Sequence, residues 1–419
     1  MNKLYSIYLD ANGSIYTDTR KPQPGAIFFA LKGAGFNGNK FLKQAIEQGA
    51  SYVVGDEHPD FISEKVIIVD DVLTTLQNLA SFHRNHCKTK IIGIGGSNGK
   101  TTTKELLKRV LSVKYKVHAT PGNFNNHIGL PLTLLSMPVD TEIALLELGT
   151  NQKGDIEQLC NICQPDFGLI TNVGKEHLEG FGSVEAVAHE ESHLYNFLLM
   201  HGGTAFVNVD DSWLGNMSKR LSNKVDYSIN DFTAEQLAPQ IKANSNSNIV
   251  YDANLAGKHN LSNIAAARAV GLFFGIAEAE IATAIASYKP DNMRSEWRQT
   301  GRNLIFLDAY NANPSSMEMA IHTLQTVQAD KKIAILGDMF ELGDFALSEH
   351  SAVLQLAQHA GFDMVITVGE VFAKVHSSPT SFLDVKSLIS FLEQNKISGY
   401  TVLLKGSRGM KLETLIPHL

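Results

Sequence analysis

Short apolar runs recur along this chain, each closed by a polar turn and followed by apolar residues three and four positions apart. IIGIG, IALLEL, FGLIT and AFVN punctuate the middle, and LIFLD, IAILG, MVITVG and TVLLK the last third. Strand-length runs alternating with helical spacing predict mostly parallel sheets covered by helices on both faces. The expected central strands are Ile91–Gly95, Ile143–Leu148, Phe167–Asn172 and Ala205–Asn208, and GKHNLSNIAAARAVGLFFG reads as an amphipathic helix. The alternation breaks in PDNMRSEWRQTGRN, which places a boundary near Pro290. Before the middle section lies a smaller α/β unit. It has a strand from Ala26 to Leu31, a helix carrying Phe41, Leu42, Ala45 and Ile46 that stops at Gly49, and the strands in SYVVGD and KVIIVD. The pattern therefore predicts an α/β protein of three domains at residues 1–85, 86–292 and 293–419. The first core is small enough to need its neighbour. The last domain is Rossmann-like but has no GxGxxG fingerprint.

Where the first central strand ends, the pattern acquires chemistry. KIIGIGGSNGKTTTKELL (Lys90 to Leu107) is an apolar strand, a glycine-rich turn, and a helix opening on Lys100, Thr101 and Thr102. Gly96, Ser97, Asn98 and Gly99 let backbone N–H groups approach an anion, Lys100 reaches outer phosphates, and a hydroxyl after it can hold Mg²⁺. The helix dipole adds positive potential there. The strict GxxxxGK[ST] pattern places glycine at 94, where this chain has Ile94.

Ligands of parallel sheets collect at the carboxyl ends of strands. The next ends carry Glu147, then Thr171, Asn172 and His177, so Thr101, Glu147 and His177 are candidate magnesium ligands. Glu147 follows an apolar run where a solvated glutamate is unexpected. Asn123, Asn125 and Asn126 crowd a polar turn that either bonds a substrate or shapes the loop. In the last domain Asp308, Asn311, Asn313, Asp338, Glu341, Lys405, Ser407 and Arg408 follow strands, as a two-sided cleft requires. His189, Glu190, Glu191 and His193 form a titratable cluster of the kind that is usually a solvated helix face. Asp18, Thr19 and Arg20 read as a solvated turn.

Composition narrows the class. Net charge is −7, with no basic block, which argues against nucleic acid as a partner. No apolar run is long enough to span a membrane, and MNKLYSIYLDANG lacks the apolar centre of a secretory signal. Three cysteines fit a reducing cytoplasm, and Cys160 and Cys163 lack the further ligands of a zinc site, so they read as buried helix residues.

Taken together, TDTRKPQPGAIFFALKG, GSNGKTTTKELL, GNFNNHIGLPLTLL, ELGTNQKGDI, NVGKEHLEGFGS, HNLSNIAAA, DAYNANPSSM, ILGDMFELG and LLKGSRGMKLE resemble, in order, the sequence blocks of the Mur ligases. The resemblance covers nearly the whole chain. It implies a UDP-substrate domain, a central ATPase domain and a C-terminal ligand-binding domain that closes over ATP. The implied reaction is ATP-dependent amide synthesis in peptidoglycan precursor formation, by a cytoplasmic monomer using Mg²⁺. UDP-N-acetylmuramoyl-tripeptide would be activated as an acyl phosphate and joined to D-alanyl-D-alanine. By the same resemblance Lys100 meets the phosphates, and Thr101, Glu147 and His177 serve the metals. Asn263 meets adenine, and Arg294 and Asp308 lie beside the phosphates and ribose. Asp18, Thr19 and Arg20 bind the uridine nucleotide, while Asn125, Asn126, Thr150, Asn311 and Asn313 line the peptide substrates. The chain departs from the family at two positions. Glu191 stands where the family has a lysine carbamylated by CO₂, which implies an encoded carboxylate at the second metal, with His189 or Glu190 assisting. Gly95 stands where the family usually has threonine. Alternatives are a folylpolyglutamate synthase-like ligase, against which the N-terminal block stands, and a nucleotide-binding module without ligation.

Overall fold

The computed structural model describes residues 1–419, and its sheets divide as the apolar pattern predicts. In the N-terminal unit four parallel strands run in the order Ile15–Tyr16, Ile27–Phe29, Tyr52–Gly55, Val66–Ile68. Successive side chains of a strand point to opposite faces. Ile27 and Phe29 thus face one side, and Phe28 joins Ala26, Leu42 and Val53 in a small cluster on the other.

That small cluster is not self-sufficient. Ile27, Phe29 and Val54 share one continuous core with Leu76 and Leu79 of the helix Val72–His86 and with Leu130, Leu146 and Leu159 of the central unit. Asp71 starts this helix by accepting from the Thr74 N–H at 2.7 Å. Val72, Leu76, Leu79 and Ala80 then bury its inward stripe. Each fully buried leucine contributes about 1.5–3 kcal/mol, so the helix welds the first unit to the second.

The central sheet is wholly parallel, in the order Lys224–Tyr227, Thr204–Asn208, Phe167–Ile170, Lys90–Gly95, Ile143–Glu147, Val117–Ala119. The chain leaves Lys90–Gly95 toward one edge and later returns past it to build the other. This strand therefore ends at the switch point where a crevice opens. The strands at 143 and 167 end one and two residues earlier than expected, at Glu147 and Ile170, which pair with Ile94 and Gly95 of the first strand.

Two features differ from the pattern's reading. The helix Lys258–Phe273 is buried on most of its circumference, including Asn260, Asn263 and Arg268, rather than amphipathic. Its alanines let it lie close against the helix Lys100–Leu111. A three-stranded antiparallel sheet, Phe232–Gln236, Ile241–Ser245 and Val250–Ala253, extends the central unit.

The C-terminal sheet runs Glu296–Gln299, Leu304–Leu307, Thr401–Lys405, Lys332–Gly337, Met364–Val368, Ser381–Phe382, parallel except for its first strand. At the junction Met293 (φ +58) and Ser295 (φ +52) hold left-handed backbone on both sides of Arg294, a conformation uncommon for residues with a side chain. The Ser295 N–H donates to Asp308 Oδ1 at 2.9 Å and the Met293 N–H to Glu296 Oε2 at 3.0 Å, which holds the bend in place. No helix is long and apolar enough to cross a membrane.

Candidate active site

The carboxyl ends of the two large sheets face each other across a cleft of about 580 Å³. Its floor is the loop after Lys90–Gly95. Gly96 has φ +110, and any side chain there would collide with Thr171 Oγ1 and the Thr171 backbone. That closeness is what pins the loop. Thr171 Oγ1 donates to the Asn98 carbonyl at 2.6 Å, and the Asn172 amide both accepts from the Asn98 N–H at 3.2 Å and donates to its carbonyl at 2.8 Å. The helix Lys100–Leu111 then opens without a side-chain cap, leaving first-turn N–H groups for an anion. Ile94 is a buried strand residue, not a loop residue, and its register opposite Glu147 sets that carboxylate beside the helix. Thr101 Oγ1 donates to Glu147 Oε2 at 3.2 Å. The Lys100 ammonium is folded back on the Gly96 carbonyl and lies 3.8 Å from Glu176 Oε2.

Three buried glutamates surround this floor. Glu147 is 1% exposed, with Oε1 3.1 Å from Lys104 Nζ but outside hydrogen-bonding geometry. Glu176 keeps one oxygen and Glu191 both oxygens without a hydrogen-bond partner. Burial pushes the Glu191 carboxyl up to about 8, against the pull of Lys100. The two departures from the family pattern are in contact, since a Cβ at Gly95 would strike Glu191 Oε2. Glycine at 95 is what admits the carboxylate beneath the loop.

Unpartnered buried carboxylate oxygens are costly, and an all-oxygen donor set suits a hard cation. No three His, Cys, Asp or Glu side chains converge into a metal cage. Magnesium needs none, because it keeps waters and binds one or two carboxylates plus phosphates. The donors fit the cation in that limited sense. Of the residues expected to serve two metal ions, Thr101 and Glu147 are bonded to each other, while no hydrogen bond or ion pair joins His177 or Glu191 to them. Glu191 lies under the loop and does not line the cleft, and His177 Nδ1 is 2.6 Å from Glu341 Oε2. The expected helpers of Glu191 are ruled out. His189 is exposed, and the Glu190 oxygens accept from the Gly154 and Ile156 N–H groups at 2.8 Å, at the start of the earlier helix Asp155–Cys163. Glu190 and Glu191 are buried, so their cluster is not a solvated face.

At the far end of the cleft Asn263 is engaged on both sides, accepting from Thr103 Oγ1 at 3.1 Å and donating to Asn260 Oδ1 at 2.9 Å. The Arg294 guanidinium stacks 3.9 Å over the Tyr310 ring. Lys405 Nζ bonds Asp308 Oδ2 at 2.7 Å. Burial acts to raise the Asp308 carboxyl, but Lys405 holds it below the ordinary range. Beside them burial lowers His259 to about 4. Asn313 Nδ2 reaches across to Asn98 Oδ1 at 3.0 Å, and Asn311 also lines the wall.

Asn125, Asn126 and Thr150 line the opposite side. The Asn126 side-chain oxygen is occupied by the Ile128 and Gly129 N–H groups at 3.1 and 2.8 Å, and so shapes its loop. Asp18, Thr19 and Arg20 lie outside the cleft. Asp18 and Arg20 form an exposed pair at 2.8 Å, and the Arg20 hydrogen bonds hold the Asp18 carboxyl at about 2. Cys160 and Cys163 are buried helix residues. Lys104 and Glu176 escaped sequence reasoning. Lys104 looks like the exposed fifth residue of a polar helix start, yet it is 1% exposed and donates to the Thr120 carbonyl at 2.7 Å. Glu176 had one signal, its place beside His177.

Comparison with known proteins agrees along the chain. The Mur ligase family catalytic domain matches residues 13–84, the Mur ligase middle domain 94–271, and the Mur ligase glutamate ligase domain 293–408. UDP-N-acetylmuramoyl-tripeptide–D-alanyl-D-alanine ligase of Bacillus subtilis is 37% identical over 424 residues, covering 97% of this chain and 92% of that protein. A MurF crystal structure from Acinetobacter baumannii superposes with a TM-score of 0.87 at 27% identity, covering 98% of this chain and 97% of that one. MurF ligase from Thermotoga maritima in complex with ADP gives 0.85 at 27% identity, covering 97% and 96%.

Proposed function

Because the chain belongs to the Mur ligase family, we propose that it joins D-alanyl-D-alanine to UDP-N-acetylmuramoyl-tripeptide, converting ATP to ADP and phosphate. The observation that carries this reading is a phosphate loop joined to the facing domain across one cleft, through Asn98 and Asn313. A carboxylate is a poor electrophile until phosphorylation turns one of its oxygens into a leaving group. The γ-phosphoryl passes to the tripeptide's terminal carboxylate, the dipeptide amine attacks the resulting acyl phosphate, and phosphate departs.

Within that scheme the first-turn N–H groups of the helix Lys100–Leu111 bind phosphate oxygens. Lys100 leaves the Gly96 carbonyl to neutralise the transferring group. A magnesium ion would be held by Thr101 and Glu147, with His177 nearby and Glu191 beneath the loop, and it would supply neutralisation of phosphate charge. Arg294, Tyr310 and Asp308 receive the nucleoside, with Asn263 setting the shape of that end. Asn125, Asn126 and Thr150 border the tripeptide, and Asn311 and Asn313 the dipeptide. Asp18, Thr19 and Arg20 receive the uridine nucleotide. The domain boundaries lie at 85/86 and 292/293, and the enzyme acts as a monomer in the cytoplasm.

The deciding experiment is phosphate release from ATP with UDP-N-acetylmuramoyl-tripeptide, with and without D-alanyl-D-alanine. Sustained release that needs both substrates is expected. Release indifferent to the dipeptide, or none, removes the ligase reading.

A further inference from the structure

His177 and Glu341 belong to different domains, and each is held in the left-handed backbone region, at φ +46 and +62. Such conformations cost about 1–3 kcal/mol each and persist only where surrounding structure over-determines them. Here it does. The Glu341 loop is fixed from behind, since the Phe340 N–H donates to Ser407 Oγ at 2.9 Å and the Met339 N–H to His350 Nε2 at 3.0 Å. In front, the Glu179 N–H donates to the Glu341 carbonyl at 3.1 Å, and Glu341 Oε2 sits 2.6 Å from His177 Nδ1. The glutamate side chain is 58% exposed and the histidine 21%, and solvent screening on the glutamate side keeps such a pair near roughly 0–1 kcal/mol of stability. Stability does not account for two strained residues meeting.

Orientation does. A carboxylate on one imidazole nitrogen fixes the ring and places its proton there, leaving a lone pair on the other. The free nitrogen, Nε2, lies 3.9 Å from Glu176 Oε2, at the Lys100 end of the phosphate site. We propose that Glu341 is a positioning residue that, when the C-terminal domain closes, locks the His177 tautomer with Nε2 facing the cation site. Cation binding and domain closure are thereby one event. The inference rests on the ligase reading for its purpose, but its geometry stands apart from that reading.

The test uses Mn²⁺ as the probe, titrated into the full-length protein saturated with ADP and followed by electron paramagnetic resonance. Glu341→Gln, which keeps shape and the backbone bond to Glu179, should weaken Mn²⁺ binding about 10–100-fold, the usual cost of losing a carboxylate behind a histidine ligand. ADP affinity without metal and the melting temperature should stay at wild-type values. In a His177→Ala background the same substitution should change Mn²⁺ affinity less than about twofold. Wild-type-like Mn²⁺ binding by Glu341→Gln, an additive loss in the double variant, or no Mn²⁺ binding by the wild-type complex each overturns the proposal. Ligation by the wild type is scored separately, so a protein that binds Mn²⁺ through this pair yet makes no product sinks only the functional reading.

Discussion

At the scale of single residues, the site is a set of charges placed where water is scarce. Lys100→Ala should lower turnover about 10²–10³-fold, as for loss of one preorganised charge contact, read as steady-state phosphate release; a tenfold drop would mean the loop is misassigned. Gly95 and Glu191 form a coupled pair through the clash that any Cβ at 95 would make with the carboxylate. Gly95→Thr should destabilise by about 1–3 kcal/mol through overpacking, and much less in a Glu191→Ala background. A double-mutant cycle by urea denaturation checks this, and a coupling below about 0.5 kcal/mol refutes it. His259 makes a pH prediction. The unfolded chain takes up this proton near 6.5 and the folded chain only near 4. Stability is thus full above 6.5 and falls as pH drops toward 4. His259→Asn should flatten that part of a melting-temperature profile. Glu191 shows where reading by residue type failed. A run of His and Glu on a helix has the composition of a solvated face, and only packing reveals that two of its members are buried.

At the scale of elements, position follows from how each one begins and ends. The helix Val184–His201 carries Glu191 and starts at Ser183, whose hydroxyl accepts from the Ala186 N–H at 3.2 Å. Ser183→Ala should cost about 1 kcal/mol, measured by urea denaturation, and an unchanged midpoint would show the cap to be idle. Strand register does comparable work for Glu147, because the Ile94 pairing decides which residue of IALLEL meets Thr101. Apolar runs and glycine offsets gave the strand–loop–helix order its legibility. The helix Lys258–Phe273 departs from its amphipathic pattern because packing covers its alanines, asparagines and arginine.

At the scale of the whole molecule, a few polar bonds hold the closed cleft. Lys175 reaches Glu349 at 2.7 Å, its N–H meets Ser315 at 2.9 Å, and Asn313 meets Asn98. Only Leu178, Ala238 and Ala256 of the central unit join the apolar core of the C-terminal domain, whereas the N-terminal sheet shares a much larger core with its neighbour. Relative motion is the default for domains joined by modest polar interfaces. Lys175→Ala should therefore favour a larger radius of gyration in small-angle scattering without nucleotide, with a shift of under about 1 kcal/mol. ADP should restore the compact form. Identical scattering curves for variant and wild type would show that this bond does not hold the cleft closed.

The sequence alone determined the α/β class, the three-part order, and the phosphate loop with its lysine and hydroxyl. These are local properties, written in the spacing of apolar residues and in glycines that a tight turn demands. Tertiary structure decided which carboxylates are buried without partners, that Glu191 lies beneath Gly95, and that Glu341 meets His177 from another domain. Burial and contact between residues far apart in the chain depend on how sheets and helices pack, and no window of sequence contains both partners.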